Sequence, residues 1–300
     1  MKFFALITRC FNEPSIRHFV DYYLGQGVDE IHIIDDRTDE KILAPLRFDD
    51  RVVIYGCQNF KSSKTQLIDV NLVYDRIKTK FEWVALVDCD EFIVTRKAPL
   101  NTIKDELIKS FVDCDLVKVP WVMFSSHGRS EYEKVWYKDK QNKTYSLRRL
   151  DPENFLISNT LRWNHDLRHP HPSGWLKGRC RYERIEVKCI FRPHAFDGFL
   201  SPHYPVQNTD VVAVDSINKT RGKIDEFYVG LREFSIETAI MTCNHYRIVS
   251  LESCERKFNG NKLAAYRDQN NLNNLIVSDH AEVEDFLLAE KLINARALSN

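Results

Sequence analysis

The sequence has no apolar run of about 18 residues, the length that a membrane-spanning helix requires. The stretch that begins at Met1 is too short and becomes polar too soon to be a signal peptide. We therefore expect a cytoplasmic protein without a transmembrane segment.

The sequence also lacks an excess of charge of either sign, because 43 lysines and arginines balance 43 aspartates and glutamates. Proteins that bind nucleic acids in general carry a basic surplus that neutralises phosphates. The balance argues against a nucleic-acid partner and leaves room only for a local basic patch.

Eight cysteines are present, but no two of them form a Cys-x-x-Cys pair. Their wide, irregular spacing indicates neither a zinc module nor a disulfide framework. We expect most of them to be reduced and buried, as small apolar residues of a cytosolic protein. The chain also lacks internal repeats and any linker rich in glycine, proline or serine, so we predict a single domain over residues 1–300.

What the sequence does contain is an alternation of short apolar runs and helical patterns. One helical pattern follows Pro14 and ends at Gly25, and a second helix is predicted over residues 64–79. The apolar runs, each typical of a buried strand, are residues 3–8, 31–34, 52–55, 83–87, 116–124 and 186–191. This alternation predicts an α/β fold with a doubly wound, mostly parallel sheet.

Acidic residues follow the apolar run at residues 83–87 directly. In an extended backbone, alternate side chains share a face, so Asp88 and Asp90 are expected to point together and Cys89 away from them. Two carboxylates at the carboxyl end of a buried strand suit Mg²⁺ or Mn²⁺ beside a phosphate. The alternative is an ordinary acidic turn, but acids flanked by apolar residues are costly unless they are paired or bind a metal.

The second half of the chain is less regular. Residues 125–182 are polar, basic and aromatic, and we interpret them as substrate-facing loops rather than a second core. Residues 206–235 are polar and are interpreted as a mobile loop, whereas residues 239–249 contain a further strand candidate. Apolar residues at helical spacing between Val283 and Ile293 predict a final amphipathic helix.

Several motifs occur in an order that resembles a known family. They are Cys10–Pro14, Gly25–Asp36, Val87–Phe92, Trp121–Gly128, Lys188–Pro193 followed by His203, and Asn244–Ser250. Together they resemble glycosyltransferases of the GT-A fold, closest to the family 2-like group that shares its pattern with family 92. The resemblance spans roughly residues 3–260 and implies a Rossmann-like, mostly parallel sheet flanked by helices, with a C-terminal extension.

The resemblance implies an enzyme, namely a metal-dependent, inverting glycosyltransferase. Such an enzyme moves a hexosyl or pentosyl group from a nucleotide sugar, most commonly a UDP- or GDP-sugar, to a hydroxyl of a glycan or other acceptor. It implies a nucleotide-sugar-binding half over about 1–125, an acceptor and metal-completing half over about 126–260 and a helical extension over about 261–300. Without a membrane anchor, an enzyme of the bacterial or viral cytosolic type is expected.

The resemblance also assigns the metal, Mn²⁺ or Mg²⁺, to the Asp-x-Asp motif. Asp90 is the expected direct ligand, because in this fold the last acid of the motif usually holds the metal. Asp88 is expected to contact the ribose, or the metal through water. A histidine from later in the chain completes the site, with His203 as the first choice and His245 as the second. Any one of the ten histidines is more often an ordinary hydrogen-bonded residue.

The nucleotide of the donor is expected at the ends of the first strands and at the start of the helix over residues 64–79. Helix capping and turn formation are the alternative for the residues after the first strand, and a solvated surface lysine is the alternative for Lys64. The residues assigned to the nucleotide by the resemblance are Thr8, Arg9, Asn12, Glu13, Asp35, Asp36, Lys64 and Gln66, besides Asp88.

Inversion requires one carboxylate that acts as general base towards the acceptor hydroxyl. Asp166 and Glu133 are the candidates, and Asp166 is preferred because Arg162 and Arg168 flank it and favour its ionised form. Surface ion pairing is the alternative for both acids.

Two further functions are compatible with the same residues. A nucleotidyltransferase is disfavoured because no glycine-rich phosphate loop follows the first strand. A non-catalytic carbohydrate-binding protein on a degenerate transferase fold is disfavoured because it has no need for converging carboxylates.

Overall fold

The computed structural model of the chain describes residues 1–59, 66–128, 131–138, 142–168, 180–260 and 272–299. In these ranges the strands are β1 (Lys2–Cys10), β2 (Glu30–Asp35), β3 (Val52–Gly56), β4 (Phe81–Leu86), β5 (Glu91–Thr95), β6 (Leu116–Met123), β7 (Lys134–Lys138), β8 (Thr144–Arg148), β9 (Leu161–Arg162), β10 (Ile185–Phe191), β11 (Phe196–Phe199), β12 (Pro205–Gln207), β13 (Ala213–Asp215), β14 (Arg221–Gly222), β15 (Phe227–Tyr228), β16 (Met241–His245) and β17 (Val283–Glu284).

The α-helices in the same ranges are α1 (Ile16–Gly25), α2 (Glu40–Leu43), α3 (Gln66–Ile77), α4 (Ile103–Ser110), α5 (Phe155–Ser158), α6 (Glu233–Glu237), α7 (Leu251–Gly260), α8 (Leu272–Ser278) and α9 (Leu287–Ser299). Short 3₁₀ helices are Ala44–Phe48, Arg181–Glu183 and Pro193–Ala195.

The chain forms two compact units, each built from separate stretches of sequence. The first contains Met1–Trp121, Glu186–Phe227 and Glu237–Cys243. The second contains Val122–Ile185, Tyr228–Ile236 and Asn244–Asn300.

A mostly parallel sheet forms the centre of the first unit. Strands β3, β2, β1 and β4 are neighbours in that order and all run parallel. Their apolar residues are buried, as in β1, where Phe4 to Ile7 are fully inaccessible. This burial explains the continuous apolar runs, because helices cover both faces of such a sheet. The predicted α/β fold with a mostly parallel sheet is confirmed.

The sheet continues beyond β4 with a change of direction. Strand β10 is antiparallel to both β4 and β6, and β13 is parallel to β6. Lys188 of β10 lies opposite Val119 of β6. The carboxyl ends of the parallel strands β1, β2 and β4 meet at one edge of the sheet, so the polar residues that follow them are gathered there.

Helix α1 holds the start of β5 through its aromatic residues. Tyr23 donates its hydroxyl hydrogen to Glu91 O at 3.0 Å and accepts the Ile93 N–H at 3.0 Å. Phe19 packs edge-on against Phe92, with ring centroids 5.9 Å apart. The helix begins at Ile16, and the predicted helix end at Gly25 is confirmed. The backbone that carries Glu91 is therefore fixed by a buried helix.

Helix α3 holds the segment around β11 in the same unit. Asn71 accepts the Phe199 N–H at 2.7 Å and donates to Phe199 O at 3.1 Å. Tyr74 donates to Phe196 O at 2.8 Å. Gly198 permits this approach, because its φ is +154° and a Cβ there would lie 2.7 Å from Asn71 Oδ1. The chain that leads to His203 is thereby tied to α3.

The second unit has a core of its own, contrary to the interpretation of residues 125–182 as loops. Tyr246 packs against Phe124 and Phe155, with ring centroids 4.8 and 5.0 Å apart. Buried Arg162 pairs with Glu233 at 2.6 Å and with Asp285 at 2.8 Å. The segment looked loop-like because the residues that neutralise its charges are far away in the sequence.

Other predicted elements differ in extent. Residues 206–235, interpreted as a mobile loop, contain β13, β14, β15 and part of α6. The strand predicted within residues 239–249 is the shorter β16. The final helix α9 is present, but Val283 belongs to β17 and Ile293 is 46% exposed.

The expectation for the cysteines is met. All eight cysteines are free thiols, and six of them are buried. Among the helices that the structure describes, none has the length and apolarity needed to cross a membrane.

Candidate active site

The acids predicted to bind a metal lie in a tight turn between β4 and β5, which we call the acid turn (Asp88–Glu91). The Glu91 N–H donates to Asp88 O at 3.0 Å, so the backbone is not extended as the sequence suggested. The side chains of Asp88 and Cys89 nevertheless point to different environments, as expected. Cys89 is buried and donates to Arg9 O at 3.1 Å, whereas the Asp88 side chain is 52% exposed.

A buried lysine of β10 neutralises part of the acid turn. Lys188 Nζ lies 2.9 Å from Asp88 Oδ2 and 2.8 Å from Glu91 Oε2, and its side chain is fully inaccessible. Burial alone would lower the pKa of Lys188, but the two carboxylates raise it above its ordinary value. Lys188 is therefore an ammonium at neutral pH.

Glu91 is the structural acid of the turn. Its Oε2 accepts the Asp88 N–H at 2.9 Å and its Oε1 accepts the Trp121 indole N–H at 2.9 Å. Burial raises the pKa of Glu91, while Lys188 opposes that rise. The partners of both oxygens are donors, which is the pattern that an ionised carboxylate satisfies. The structure thus shows Glu91 capping the turn.

Asp88 and Asp90 are the other two acids of the turn. Partial burial opposes ionisation of Asp88, but the Lys188 ammonium outweighs it and lowers the pKa of Asp88. Lys188 therefore favours the ionised form of Asp88, which supplies negative charge beside the turn.

His203 lies close to this cluster in the first unit. Its Nδ1 is 3.0 Å from Val187 O, so Nδ1 carries the hydrogen and Nε2 keeps its lone pair. Burial, followed by the charge of Lys188, lowers the pKa of His203, and the ring is neutral at neutral pH. A backbone carbonyl on one ring nitrogen is common in metal-binding histidines. The other nitrogen, Nε2, lies 3.7 Å from Glu186 Oε2.

His245 is a residue of the second unit. It is buried at the end of β16, and its carbonyl accepts the Phe124 N–H at 2.9 Å. Its assignment as the second-choice metal ligand stays a prediction.

Among the residues that the structure describes, no group of three or more histidines, cysteines, aspartates or glutamates has the geometry of a metal site. This agrees with the contact between Asp88 and Lys188, which occupies one oxygen of the pair. A site that relies on one or two carboxylates and on substrate phosphates needs no third protein acid, and this is the usual way in which Mg²⁺ is held. The carboxylates of the acid turn and the His203 ring are of the chemical types that bind divalent cations, but within the described residues they do not come together as a metal site.

The residues predicted to contact the nucleotide fall into two groups, of which the first surrounds the end of β1. Thr8 is fully buried, with Oγ1 at 3.3 Å from Cys89 Sγ. Arg9 pairs with Asp36, and the other oxygen of Asp36 accepts the Arg37 Nε–H at 3.1 Å. Arg9 and Asp36 thus form an ion pair at the carboxyl edge of the sheet.

The second group forms turns at the same edge. Asn12, in the left-handed region with φ of 46°, accepts the Asp39 N–H at 2.7 Å. Asp35 accepts the Thr38 N–H at 2.8 Å. Glu13 accepts a hydrogen bond from the Ser15 hydroxyl at 2.9 Å. These contacts are the capping and turn roles considered as alternatives.

Two further predicted nucleotide contacts lie at the limits of the described chain. Lys64 is outside the described residues. Gln66 is the first residue of α3, and its side chain is likewise outside the description.

The candidate bases Asp166 and Glu133 are exposed residues of the second unit. Asp166 pairs with Arg232 at 2.8 Å, and Glu133 pairs with Arg149 at 2.9 Å. Arg162, which was expected to flank and ionise Asp166, instead pairs with acids elsewhere in the unit. Each candidate therefore has an arginine partner, but for Asp166 it is not the one that the sequence suggested.

The chain matches the family model of glycosyltransferase family 92 over residues 10–275. It belongs to glycosyltransferase family 92. The motif order that pointed to this group is thereby confirmed, and glycosyl transfer is the class of activity. Family 92 membership implies a donor and an acceptor in general terms.

Other comparisons add less to the assignment to family 92. No curated protein matches the chain. A solved 4-diphosphocytidyl-2C-methyl-D-erythritol synthase from Anaerococcus prevotii is 10% identical, with 64% of this chain and 71% of that chain covered and a TM-score of 0.29. A structure from Bacillus anthracis described as a glucose-1-phosphate thymidylyltransferase is 7% identical, with 65% and 73% covered and a TM-score of 0.32. Similarity at this level carries no argument about function.

Proposed function

We propose that this family 92 protein is a metal-dependent, inverting glycosyltransferase. Its donor is a nucleotide sugar, and UDP- and GDP-sugars are the preferred candidates. Its acceptor is a hydroxyl of a glycan or other glycoconjugate. Family membership supports the transfer of a sugar. The metal and the nucleotide are inferred from the acid turn and the residues around it.

The observation that carries the proposal is the acid turn itself, which places Asp88 and Asp90 between β4 and β5 at the carboxyl edge of the sheet. Carboxylate oxygens suit Mn²⁺ and Mg²⁺ as ligands. Asp90 is proposed as the direct ligand, because in the GT-A fold that the motifs resemble the last acid of the motif usually holds the metal. Hard oxygen ligands of this kind favour these two ions over softer metals.

His203 is proposed as the neutral ligand that completes the site, ahead of His245. Its tautomer leaves Nε2 with a lone pair, and its lowered pKa keeps that lone pair unprotonated at neutral pH. A neutral ligand leaves the charge balance of the acid turn and cation unchanged.

The division of labour in the reaction follows from these groups. The bound cation supplies Lewis acidity to the departing diphosphate. Asp88 and Asp90 hold that end of the donor, and Arg9 with Asp36 lies where the nucleotide is expected, at the ends of β1 and β2. The turns at this edge are formed by Asn12, Glu13 and Asp35, and Thr8 is packed beneath them. For Lys64 and Gln66, proximity to the diphosphate remains part of the proposal.

The acceptor side needs one ionised carboxylate. Asp166 is proposed as the base and Glu133 as the second choice, since each is an exposed carboxylate of the second unit. Inversion requires only one such group, which takes the proton of the acceptor hydroxyl as the new bond forms.

A screen of nucleotides with and without metal tests the proposal. Purified protein is titrated calorimetrically with UDP-, GDP- and dTDP-sugars in Mn²⁺ and again in EDTA. A transferase binds at least one of them in a metal-dependent manner and releases a nucleoside diphosphate when acceptor is added. Binding of free glycans alone would favour a carbohydrate-binding protein. Release of pyrophosphate from a nucleoside triphosphate and a sugar phosphate would favour a nucleotidyltransferase.

A further inference from the structure

The hairpin of β7 and β8 has one face that packs on the second unit. Leu147 of β8 is fully buried, and the Tyr137 hydroxyl of β7 donates to Asn273 Oδ1 of α8 at 3.0 Å. Leu147 pairs with Val135, which shares the side of Tyr137 because the two are two residues apart. Side chains alternate along a strand, so the residues in between point to the opposite side.

The opposite face of the hairpin is open, and none of its paired residues is an acid. The three pairs are Lys134 with Arg148, Trp136 with Ser146, and Lys138 with Thr144. Trp136 is 69% exposed, and Lys134 and Lys138 are exposed on either side of it. The solvated face of an antiparallel sheet is ordinarily polar. An exposed indole between two ammonium groups is therefore not something that the packing of the hairpin requires.

Tyr132 adds a second aromatic ring to this row. The Lys134 ammonium lies 5.6 Å from the centre of the Tyr132 ring, and the central carbon of the Arg148 guanidinium lies 3.8 Å from it. Lys134 and Arg148 are paired on the open side of the hairpin, so Tyr132 borders the same side. Aromatic rings and lysines thus alternate along the chain. We call the four residues Tyr132, Lys134, Trp136 and Lys138 the aromatic–lysine face.

The acid within residues 132–138 does not neutralise these lysines. Glu133 precedes Lys134, but its carboxylate pairs with Arg149 at 2.9 Å. Across the hairpin, Ser146 and Thr144 supply hydroxyl groups rather than carboxylates. The aromatic–lysine face therefore offers a ring to stack on, positive charge, and hydroxyls that form hydrogen bonds.

These properties fit an acidic sugar. One side of a sugar ring presents C–H groups that pack against an aromatic ring, and a uronate carries its carboxylate on that same sugar. Successive residues on one face of a strand are about 7 Å apart. A uronate stacked on Trp136 therefore has, on each side, an ammonium at the end of a flexible four-carbon stem. A neutral sugar would use the indole but neither charge.

We propose that the aromatic–lysine face binds an oligosaccharide that contains uronates, and that this oligosaccharide is the acceptor. Its role as acceptor rests on the proposed function, whereas its binding to the face does not. The face holds the acceptor chain and selects it by charge, and it takes no part in the chemical step.

A single-stranded nucleic acid is the alternative partner, because its bases stack on aromatic rings and its phosphates pair with lysines. Two observations favour the glycan. The chain has a net charge of zero, whereas proteins that bind nucleic acids carry a basic surplus. The chain also belongs to a glycosyltransferase family, whose members need a surface for an acceptor.

The experiment is a calorimetric titration of the whole protein in the absence of donor and metal. One probe is a galacturonate hexasaccharide, and the other is the same hexasaccharide after reduction of its carboxyl groups to alcohols. We expect the galacturonate to bind about 10-fold more tightly than its neutral counterpart, because two exposed ion pairs contribute about 2–5-fold each. This difference should disappear at about 1 M salt, where exposed charges are screened.

Variants of the aromatic–lysine face locate the binding. Trp136→Ala should weaken galacturonate binding by about 10-fold or more, whereas Trp136→Phe keeps a ring and should lose less. Lys134→Gln and Lys138→Gln should each weaken it by about 2–5-fold. Phe234→Ala truncates a 74% exposed aromatic residue of α6 in the same unit and should bind as the wild type does. Circular dichroism confirms the fold of each variant.

Three results would overturn the inference. The first is equal affinity of the wild type for the galacturonate and its neutral counterpart, or no binding of either. The second is wild-type affinity in Trp136→Ala and in both lysine variants, or an equal loss in Phe234→Ala. The third is tighter binding of an oligouridylate that the same variants lose, which would identify a nucleic-acid surface.

The outcomes also separate this inference from the proposed function. If the face binds galacturonate but the nucleotide screen finds no metal-dependent donor, the proposed function fails and the acceptor role falls with it, while the binding of the glycan stands. If the protein transfers a sugar from a nucleotide donor to other acceptors and does not bind galacturonate, the proposed function stands and this inference is wrong.

Discussion

Glu91→Ala is expected to destabilise the protein by about 5–9 kcal/mol, because it removes the carboxylate that holds the acid turn. Breaking a buried ion pair from one side costs about 3–5 kcal/mol, since the remaining charge loses its partner. Here Asp88 stays 2.9 Å from Lys188 and reduces that cost towards the lower value. The Asp88 N–H and the Trp121 indole N–H lose their acceptor, at about 1–3 kcal/mol for a donor that water does not reach.

Glu82→Ala is the matched control for this prediction. Glu82 is an acid of the neighbouring β4 whose ion-pair partner is Arg192, but its side chain is 33% exposed. Because this pair is more exposed than the Glu91 cluster, the variant should lose less stability than Glu91→Ala and unfold at a higher urea concentration. Urea unfolding followed by circular dichroism compares the two variants. Equal destabilisation would show that the buried cluster does not hold the turn.

Three further predictions concern single side chains. His203→Ala should weaken Mn²⁺ binding far more than His245→Ala in calorimetry, and the reverse order would identify His245 as the ligand. Asp166→Asn, or failing that Glu133→Gln, should lower turnover by about 10²–10⁴-fold while the variant still binds the donor. If proton NMR shows that the product retains the anomeric configuration, the inverting mechanism is wrong. If both amide variants are fully active, only the choice of base is wrong. Burial lowers the pKa of His32 to about 4, so its neutral form contributes stability that is present above about pH 6.5 and is lost as the pH falls towards 4. Between about pH 6.5 and about pH 4, the free energy of unfolding from urea titrations should therefore fall by about 3 kcal/mol less in His32→Phe than in the wild type. An equal fall in both proteins would contradict the burial argument.

The parallel strands and the edge that carries the acids were predictable from local sequence. Strands β1, β2 and β4 are continuous apolar runs, because both faces of this sheet are covered. Polar residues directly after such strands must lie at the carboxyl edge. The position of Asp88 and Asp90 follows from that rule without knowledge of any partner.

The groups that hold the acid turn were not predictable in the same way. Lys188 is separated from Asp88 by 100 residues, and local periodicity contains no information about a contact at that distance. One signal was present, because a lysine inside the apolar run of β10 requires carboxylates to offset its burial. Trp121 gave no comparable signal, since a tryptophan at the end of a strand is common in any core.

The second unit was misread for a related physical reason. Arg162 lies in a polar stretch, but Asp285, 123 residues away, neutralises it. The backbone and side chain of Ser126 likewise bind Asp279, 153 residues away, with the N–H donating at 2.7 Å. Polar residues that are satisfied by distant partners form a core that composition alone makes look like loops.

The most direct test of the proposed function is the affinity of the donor nucleotide for Asp90→Ala with and without Mn²⁺. Calorimetry of wild type should show binding of the nucleotide that is strengthened by Mn²⁺, and Asp90→Ala should lose the Mn²⁺-dependent part while keeping its fold. Asp21→Ala, which removes a 54% exposed acid of α1, is the control and should bind as the wild type does. Unchanged Mn²⁺-dependent affinity in Asp90→Ala would contradict the assignment of the acid turn as the metal site.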